Sequence, residues 1–332
     1  MLHDGDRATC SIPHPRFMTD AFAIPLATNR TLARAGLTDR QIKRHVETGT
    51  ITRVRRGIYV SSADAVALTP EQWRILRARA WHAASDEPPV FSHSTAAAVH
   101  GLPVFRSRDE RTHVIAPNPR DHLAADISRH RGTTDAGVIE VRGLLITDLA
   151  RTMSSVARFD APEAAVAVAD AALRSARRED QAAVDRLRRD ALDWLTPRTP
   201  GAARATELIT FADPRADRPG ESISRLYLHR LGFAAPRLQV EVPGPDSTRY
   251  FVDFGLDDIL AFGEFDGEAK YSDPLFLAGR TPQQALLDEK RREDWIRGTT
   301  GWRILRWEMT HLASVRTLAA RLAAFGVAVP RP

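Results

Sequence analysis

RYFVDFGLDDILAFGEFDGEAKY, residues 249–271, is the stretch on which the fold of this chain turns. Two runs, Arg249–Leu256 and Ile259–Phe265, read as adjacent β-strands with Asp257-Asp258 at the turn between them. Both runs carry acids: Asp253 lies in the first, and Glu264-Phe265-Asp266-Gly267 closes the second. Side chains alternate faces along a strand, so Glu264 and Asp266 share one face and Phe265 takes the other. Ionised carboxylates in an apolar hairpin are costly without compensation. A divalent cation is one compensation, because hard cations take oxygen ligands. An exposed sheet face that merely alternates polar and apolar residues is the other reading.

Working outward, Pro219-Gly220-Glu221 opens a helical pattern with Ile223, Leu226, Tyr227, Arg230 and Leu231 near i, i+3, i+4 spacing. Arg225 stands four residues after Glu221 and is placed to pair with it. Downstream, Thr281-Pro282-Gln283-Gln284 is a capped helix start. That helix carries Asp288, Arg291, Arg292 and Trp295. Gly301-Trp302-Arg303-Ile304-Leu305-Arg306-Trp307 follows as a late strand, with Trp302 and Trp307 assigned to the core.

This order of helix, acidic hairpin, basic helix and late strand resembles the endonuclease-like domain related to very-short-patch repair enzymes, within the PD-(D/E)xK nuclease superfamily. The resemblance covers roughly the last third of the chain. Glu221-Ser222-x-x-Arg225, Val252-Asp253, Glu264-x-Asp266-Gly267, Asp288-x-x-Arg291 and Gly301-Trp302 carry it. It implies a catalytic set of Glu221, Asp253, Glu264, Asp266 and Lys270. It also implies a Mg²⁺ ion held by Asp253 and Glu264, with Glu221 completing the shell and the Phe265 carbonyl as a further ligand. Such an ion activates water and binds a phosphate oxygen; Lys270 would offset the charge of the pentacoordinate phosphate. Arg291, Arg292 and Arg306 would hold the DNA backbone. Against this, Asp288, Glu289, Glu293 and Asp294 interleave Arg291 and Arg292 as on a solvated face. One departure matters. The superfamily's lysine two residues after the strand glutamate is Asp266 here. Relatives with E-x-D-G place a histidine a few residues on, where this chain has Lys270. Two functions therefore stand side by side: a metal-dependent DNA endonuclease, and a non-enzymatic repressor or antitoxin whose nuclease fold is degenerate.

A second informative stretch lies near the N-terminus. Between Thr38 and Val60, Arg40, Lys43, Arg44, Arg53, Arg55 and Arg56 outnumber the acids Asp39 and Glu47. Thr19–Ala27 reads as a short helix, and Arg30–Ala35 as a second stopped by Gly36. Thr38-Asp39-Arg40-Gln41 is a capping box opening a third, which Gly49 ends. Thr50–Val54 and Ile58–Val60 are short strands around Arg55-Arg56-Gly57. Two helices, a tight turn and a basic hairpin make a winged helix-turn-helix, which lays its second helix in the major groove of double-stranded DNA. Arg40, Lys43 and Arg44 then lie on the exposed helix face, while Ile42 and Val46 face the core. Arg53, Arg55 and Arg56 sit on the wing, where phosphate contacts form. A solvated basic helix on a protein-interaction domain is the alternative.

The same stretch resembles the N-terminal domain of the AbiEi-type antitoxins of type IV toxin–antitoxin systems. Gly36-Leu37-Thr38, Ile42, Gly49, Ile51-Thr52-Arg53-Val54 and Arg56-Gly57-Ile58-Tyr59-Val60 carry the resemblance. Residues 91–103, FSHSTAAAVHGLP, and 143–152, GLLITDLART, extend it. In that family the winged helix binds operator DNA, and a separate portion neutralises a nucleotidyltransferase-like toxin. That portion is not clearly matched here.

The whole chain has 332 residues, 43% hydrophobic and 27% charged, with net charge +5, which fits a soluble multidomain protein with a mild preference for polyanions. The single cysteine, Cys10, excludes an internal disulfide and fits a cytoplasmic setting. No apolar run approaches a membrane span, and MLHDGDRATCSIPHPR lacks a signal core. The middle reads as mixed: helices over Thr69–Ser85, Ser94–Val99, from Asp160 through Ala172, Gln181–Leu195 and Ala202–Phe211, and strands over Thr112–Ala116, Ile127–Arg131 and Val138–Ile146. His82, His93, His100, His113, His122 and His130 fall in no metal-ligand spacing and read as buried structural histidines. The expected architecture is an α/β (α+β) multidomain chain. It comprises a disordered lead (1–16), a winged helix-turn-helix (17–66), a mixed middle domain (67–212) and a PD-(D/E)xK-like α/β domain (213–332).

Overall fold

A computed structural model describes residues 20–107, 109–117, 124–196, 199–267 and 281–330. The expected lead, Cys10, His122 and Lys270 lie outside these residues. The chain divides into two compact units between Pro88 and Pro89.

In the first unit β1 (Ala27–Thr28) leads into α1 (Asn29–Arg34) and α2 (Asp39–Glu47), followed by the hairpin β2 (Ile51–Arg55) and β3 (Ile58–Ser61). The strands form one antiparallel sheet in the order β1-β3-β2, so the helix pair and the wing are those of a winged helix-turn-helix. Capping boxes fix both helix starts: Thr28 accepts from the Thr31 amide and Thr38 from the Gln41 amide. Gly36 makes the turn between the helices at φ +89°, a conformation costly to any residue with a Cβ. The short α3 (Ser62–Ala65) and the longer α4 (Pro70–Ala84) complete the unit. Leu76 of α4 shares a core with Ile24, Val60 and Ala65, and Arg79 donates to the carbonyls of Ala21 and Ile24 at 2.6 and 2.8 Å. The helix expected over Thr19–Ala27 is absent from its described part, which holds a turn and then β1. Pro25 is the reason: it biases Ile24 away from helical backbone, and Thr28 is committed to capping α1.

The second unit opens with β4 (Val90–Phe91), α5 (His93–Val99), β5 (Thr112–Ala116), β6 (Ile127–Arg131), β7 (Val138–Val141) and β8 (Leu144–Thr147). Their sheet has the order β6-β5-β4-β8-β7. The strand expected over Val138–Ile146 is a hairpin: Arg142 and Gly143 both adopt positive φ (50° and 83°), the backbone of a tight two-residue turn. Four helices follow: α6 (Leu149–Phe159), α7 (Pro162–Arg177), α8 (Gln181–Asp193) and α9 (Ala202–Phe211). Alanines dominate the α7 face that α6 and α8 cover, which lets these helices approach closely.

The last part runs α10 (Pro219–Arg230), β9 (Arg237–Pro243), β10 (Arg249–Leu256), β11 (Ala261–Asp266), α11 (Pro282–Thr300), β12 (Arg303–Glu308) and α12 (Val315–Ala324). Strands β9, β10 and β11 form an antiparallel meander, and β12 adds in parallel beside β11. The helix–hairpin–helix–strand order read from the sequence is thus present, with β9 as an additional strand. Val240, Val242, Val252, Phe262, Ile296 and Ile304 form its core, with Trp302 packed against them. Trp307 is fully buried, stacks on Phe254 with centroids 5.6 Å apart, and donates its Nε1–H to Ser224 Oγ at 2.7 Å. Both tryptophans are core residues, as expected.

Arg225 does not pair with Glu221. It crosses to α7 and donates to both oxygens of buried Asp170, at 2.9 and 3.0 Å, and to the Phe211 carbonyl at 2.6 Å. Asp170 also accepts from the Asp213 amide at 2.7 Å. Glu221, four residues before it, is also buried but meets the Asp217 amide and Gln239 instead, and the buried guanidinium is satisfied by the planar, bidentate contact with Asp170.

Candidate nucleic-acid interface and carboxylate site

On α2, Ile42 is buried and Val46 half-buried, which turns Arg40, Lys43 and Arg44 to solvent. Lys43 approaches Glu47 at 3.8 Å, a loose pair with both side chains largely exposed. Arg53 and Arg56 are exposed on the hairpin. Arg55 differs: its guanidinium lies 3.5 Å from the centre of the Trp81 ring and is half-buried. Five of the six bases therefore stand on an accessible surface formed by α2 and the wing, and Arg55 braces the wing against α4.

The carboxylates of the C-terminal sheet are held differently. Parallel pairing sets Glu264 of β11 beside Arg306 of β12. Arg306 Nη2 reaches Glu264 Oε2 at 2.8 Å, and Arg292 from α11 donates to Glu264 Oε1 at 2.8 Å. Glu264 is buried, so the two guanidinium groups replace the water it lost. Arg292 and Arg306 also share Glu289, and Arg306 reaches Asp266 at 3.5 Å. Asp253 Oδ2 accepts from the Phe265 amide at 2.8 Å. Glu221 accepts from the Asp217 amide at 2.9 Å and from Gln239 at 3.2 Å. Burial, with the charge of Asp253 added, pushes the Glu221 carboxyl up to about 7.

The arrangement can be tested for Mg²⁺. Each of the three expected ligands already meets protein donors: two cations for Glu264 and N–H groups for Asp253 and Glu221. Among the described residues these three do not bring a ligand oxygen each to within 4.8 Å of one another. Arg291 is exposed and faces Asp288 at 3.6 Å, whereas Arg292 and Arg306 are spent on Glu264. All three carboxylates are thus held by protein groups in this structure, and no chemical step is drawn from them. The group of three potential metal-ligand side chains that does converge among the described residues is His93, His113 and His130. Sequence spacing hid it, because the three histidines come from α5, β5 and β6. His100, seven residues after His93, caps the other end of α5 and meets the Thr147 carbonyl at 2.8 Å.

Comparison with known families bears on the first of these surfaces. Residues 20–62 match the family described as transcriptional regulator, AbiEi antitoxin. The matched span holds α1, α2 and the β2–β3 hairpin, so all six bases of the helix and wing expected to contact DNA fall inside the AbiEi match. The chain is also 28% identical over 258 residues to two uncharacterized proteins of Mycobacterium tuberculosis, one from strain CDC 1551 / Oshkosh and one from strain ATCC 25618 / H37Rv. Each alignment covers 76% of this chain and 87% of the relative, well beyond the AbiEi segment. No helix among the described residues is long and apolar enough to cross a membrane.

Proposed function

We propose that this chain is a cytoplasmic DNA-binding transcriptional regulator of the AbiEi antitoxin type, whose C-terminal nuclease-like domain binds rather than cleaves. The observation that carries this reading is the coincidence of the AbiEi match with the exposed bases of α2 and the wing. Helix α2 enters the major groove through Arg40, Lys43 and Arg44, and Arg53 and Arg56 take backbone phosphates. The two arginines on Glu264 support the non-cleaving role of the last domain, since a cation there would have to displace them. A nucleotidyltransferase-like toxin is the protein partner this reading implies.

The experiment is duplex binding by fluorescence anisotropy with DNA from the chain's own promoter, comparing wild type with the Arg40→Ala, Lys43→Ala, Arg44→Ala triple variant. Tight, salt-sensitive binding lost in the triple variant supports the reading; equal binding by both removes the winged helix as the reader. The second reading is a metal-dependent endonuclease. One observation favours it: Glu221 and Asp253 lie close enough for the charge of one to raise the other, a repulsion that a bound cation relieves. Plasmid nicking with Mg²⁺ or Mn²⁺, lost in both Asp253→Ala and Glu264→Ala, would establish that reading.

A further inference from the structure

Beneath the edge of the five-stranded sheet, His93 from the start of α5, His113 from β5 and His130 from β6 stack against one another. Ring centroids are 3.6 Å apart for His93 and His130, 5.1 Å for His113 and His130, and 5.6 Å for His93 and His113. His113 and His93 are buried and His130 half-buried, and Phe159 sets its edge against all three rings. One nitrogen from each ring lies within 4.8 Å of the other two. His113 Nδ1 and His130 Nε2 are 2.8 Å apart, with one carrying the hydrogen and the other accepting. Neighbouring ligand nitrogens on a tetrahedral ion at a Zn–N distance of about 2.0–2.1 Å are separated by roughly 3.3–3.4 Å, about half an ångström wider than this spacing.

We propose that His93, His113 and His130 form a binding site for a divalent first-row transition metal such as Zn²⁺. The supporting groups fit this assignment. Metal-bound histidines use their second ring nitrogen for a partner that sets tautomer and orientation. His93 Nδ1 meets Ser92 Oγ at 2.9 Å, leaving Nε2 for the metal. Asp109 Oδ2 lies 3.7 Å from His113 Nε2, leaving Nδ1 for the metal. Asp109 is itself gripped by Arg111 at 2.9 and 2.7 Å.

Two further features belong to the same site. His93 holds φ +51°, an uncommon backbone for a non-glycine residue. Strain of this kind persists where its surroundings impose it, and it clusters at functional positions. A cavity of about 280 Å³ lies next to the cluster, lined by Asp109 and Phe159, the two residues that flank the histidines. The nearly parallel rings must tilt to aim three lone pairs at one point. That tilt exchanges the His113–His130 hydrogen bond for two metal–nitrogen bonds, the bridging hydrogen passing to the second nitrogen of the ring that carried it. An all-imidazole set favours Zn²⁺, Co²⁺ or Ni²⁺ over the oxygen-seeking Mg²⁺ and Ca²⁺.

The test uses the full chain, stripped with chelator and titrated with Co²⁺, then Zn²⁺, reading visible absorption, bound metal per chain and thermal midpoint. One equivalent of Co²⁺ with nitrogen-ligand absorption, displaced by Zn²⁺ and unaffected by excess Mg²⁺, is expected. His93→Asn keeps a residue that tolerates positive φ, and His130→Gln alters a half-buried position; each should abolish stoichiometric binding while circular dichroism stays native. Asp109→Asn should weaken binding about 10–100-fold with the ligands intact. Failure of the folded wild type to bind an equivalent, or equal binding by wild type and a His93→Asn/His130→Gln double variant, overturns the proposal.

Discussion

Arg306 stands beside Glu264 in the parallel register of β12 on β11 and meets its buried carboxylate at 2.8 Å. Strand pairing, rather than chance side-chain reach, delivers the cation, so this pair is a property of the fold. Removing one partner of a buried ion pair leaves an uncompensated charge and costs about 3–5 kcal/mol. Arg306→Ala leaves Glu264 with Arg292 and should lower stability by part of that, and Arg292→Ala/Arg306→Ala by about the whole of it, read as a reduced urea midpoint. Wild type should show no Mg²⁺-dependent rise in thermal midpoint; a rise of several degrees at millimolar Mg²⁺ would contradict the account of Glu264 given above.

Glu221 sets a pH dependence. Its carboxyl is raised from the ordinary value to about 7 in the folded chain. The native state therefore holds a proton that the unfolded state releases near pH 4.5. The contribution of Glu221 to stability is greatest below that pH, falls as pH rises to about 7, and is flat above. The span amounts to on the order of 3 kcal/mol. Glu221→Gln should flatten this slope in denaturant titrations at pH 5, 6 and 7. A slope unchanged by the substitution would mean that another group carries it.

Phosphate contacts by the winged helix should appear in the salt dependence. Each one removed lowers the slope of log K against log salt by about 0.9. Arg53→Ala and Arg56→Ala should each do so with little effect on sequence preference. Arg55→Ala should act mainly on stability, through its stacking on Trp81. Anisotropy titrations at several salt concentrations and a thermal melt separate the two outcomes.

Gly263 faces the ring of buried Trp307 so closely that a Cβ would collide with it. Gly263→Ala should cost about 1–3 kcal/mol through overpacking. A matching substitution at Gly298, where a Cβ meets nothing within 4 Å, should be nearly neutral or stabilising. Chemical denaturation of the two variants side by side checks the contrast.

Local signals in the sequence were legible where local physics decides. Thr38-x-x-Gln41 and Thr281-x-x-Gln284 announce helix starts, and both form capping boxes. Strand Arg249–Leu256 has its expected bounds because its apolar run is bracketed by turn residues. What the sequence withheld is longer in range. Arg225 found Asp170 fifty-five residues away, and Glu264 found cations on two later elements. The histidines converge because β5 and β6 pair in parallel with α5 packed on β5, and no spacing rule encodes that. The Arg142-Gly143 turn was hidden because its flanks are equally strand-like.

The bidentate grip of Arg225 on Asp170 also bears on how such a chain can be rearranged over generations. The proline-punctuated stretch between α9 and α10 looks in sequence like a seam at which genes recombine. A crossover there would give one descendant a buried aspartate without its arginine and the other a buried arginine without its aspartate. Exchanges that keep both residues from the same parent avoid this penalty. The segments joined by this pair therefore lose least when they are exchanged together.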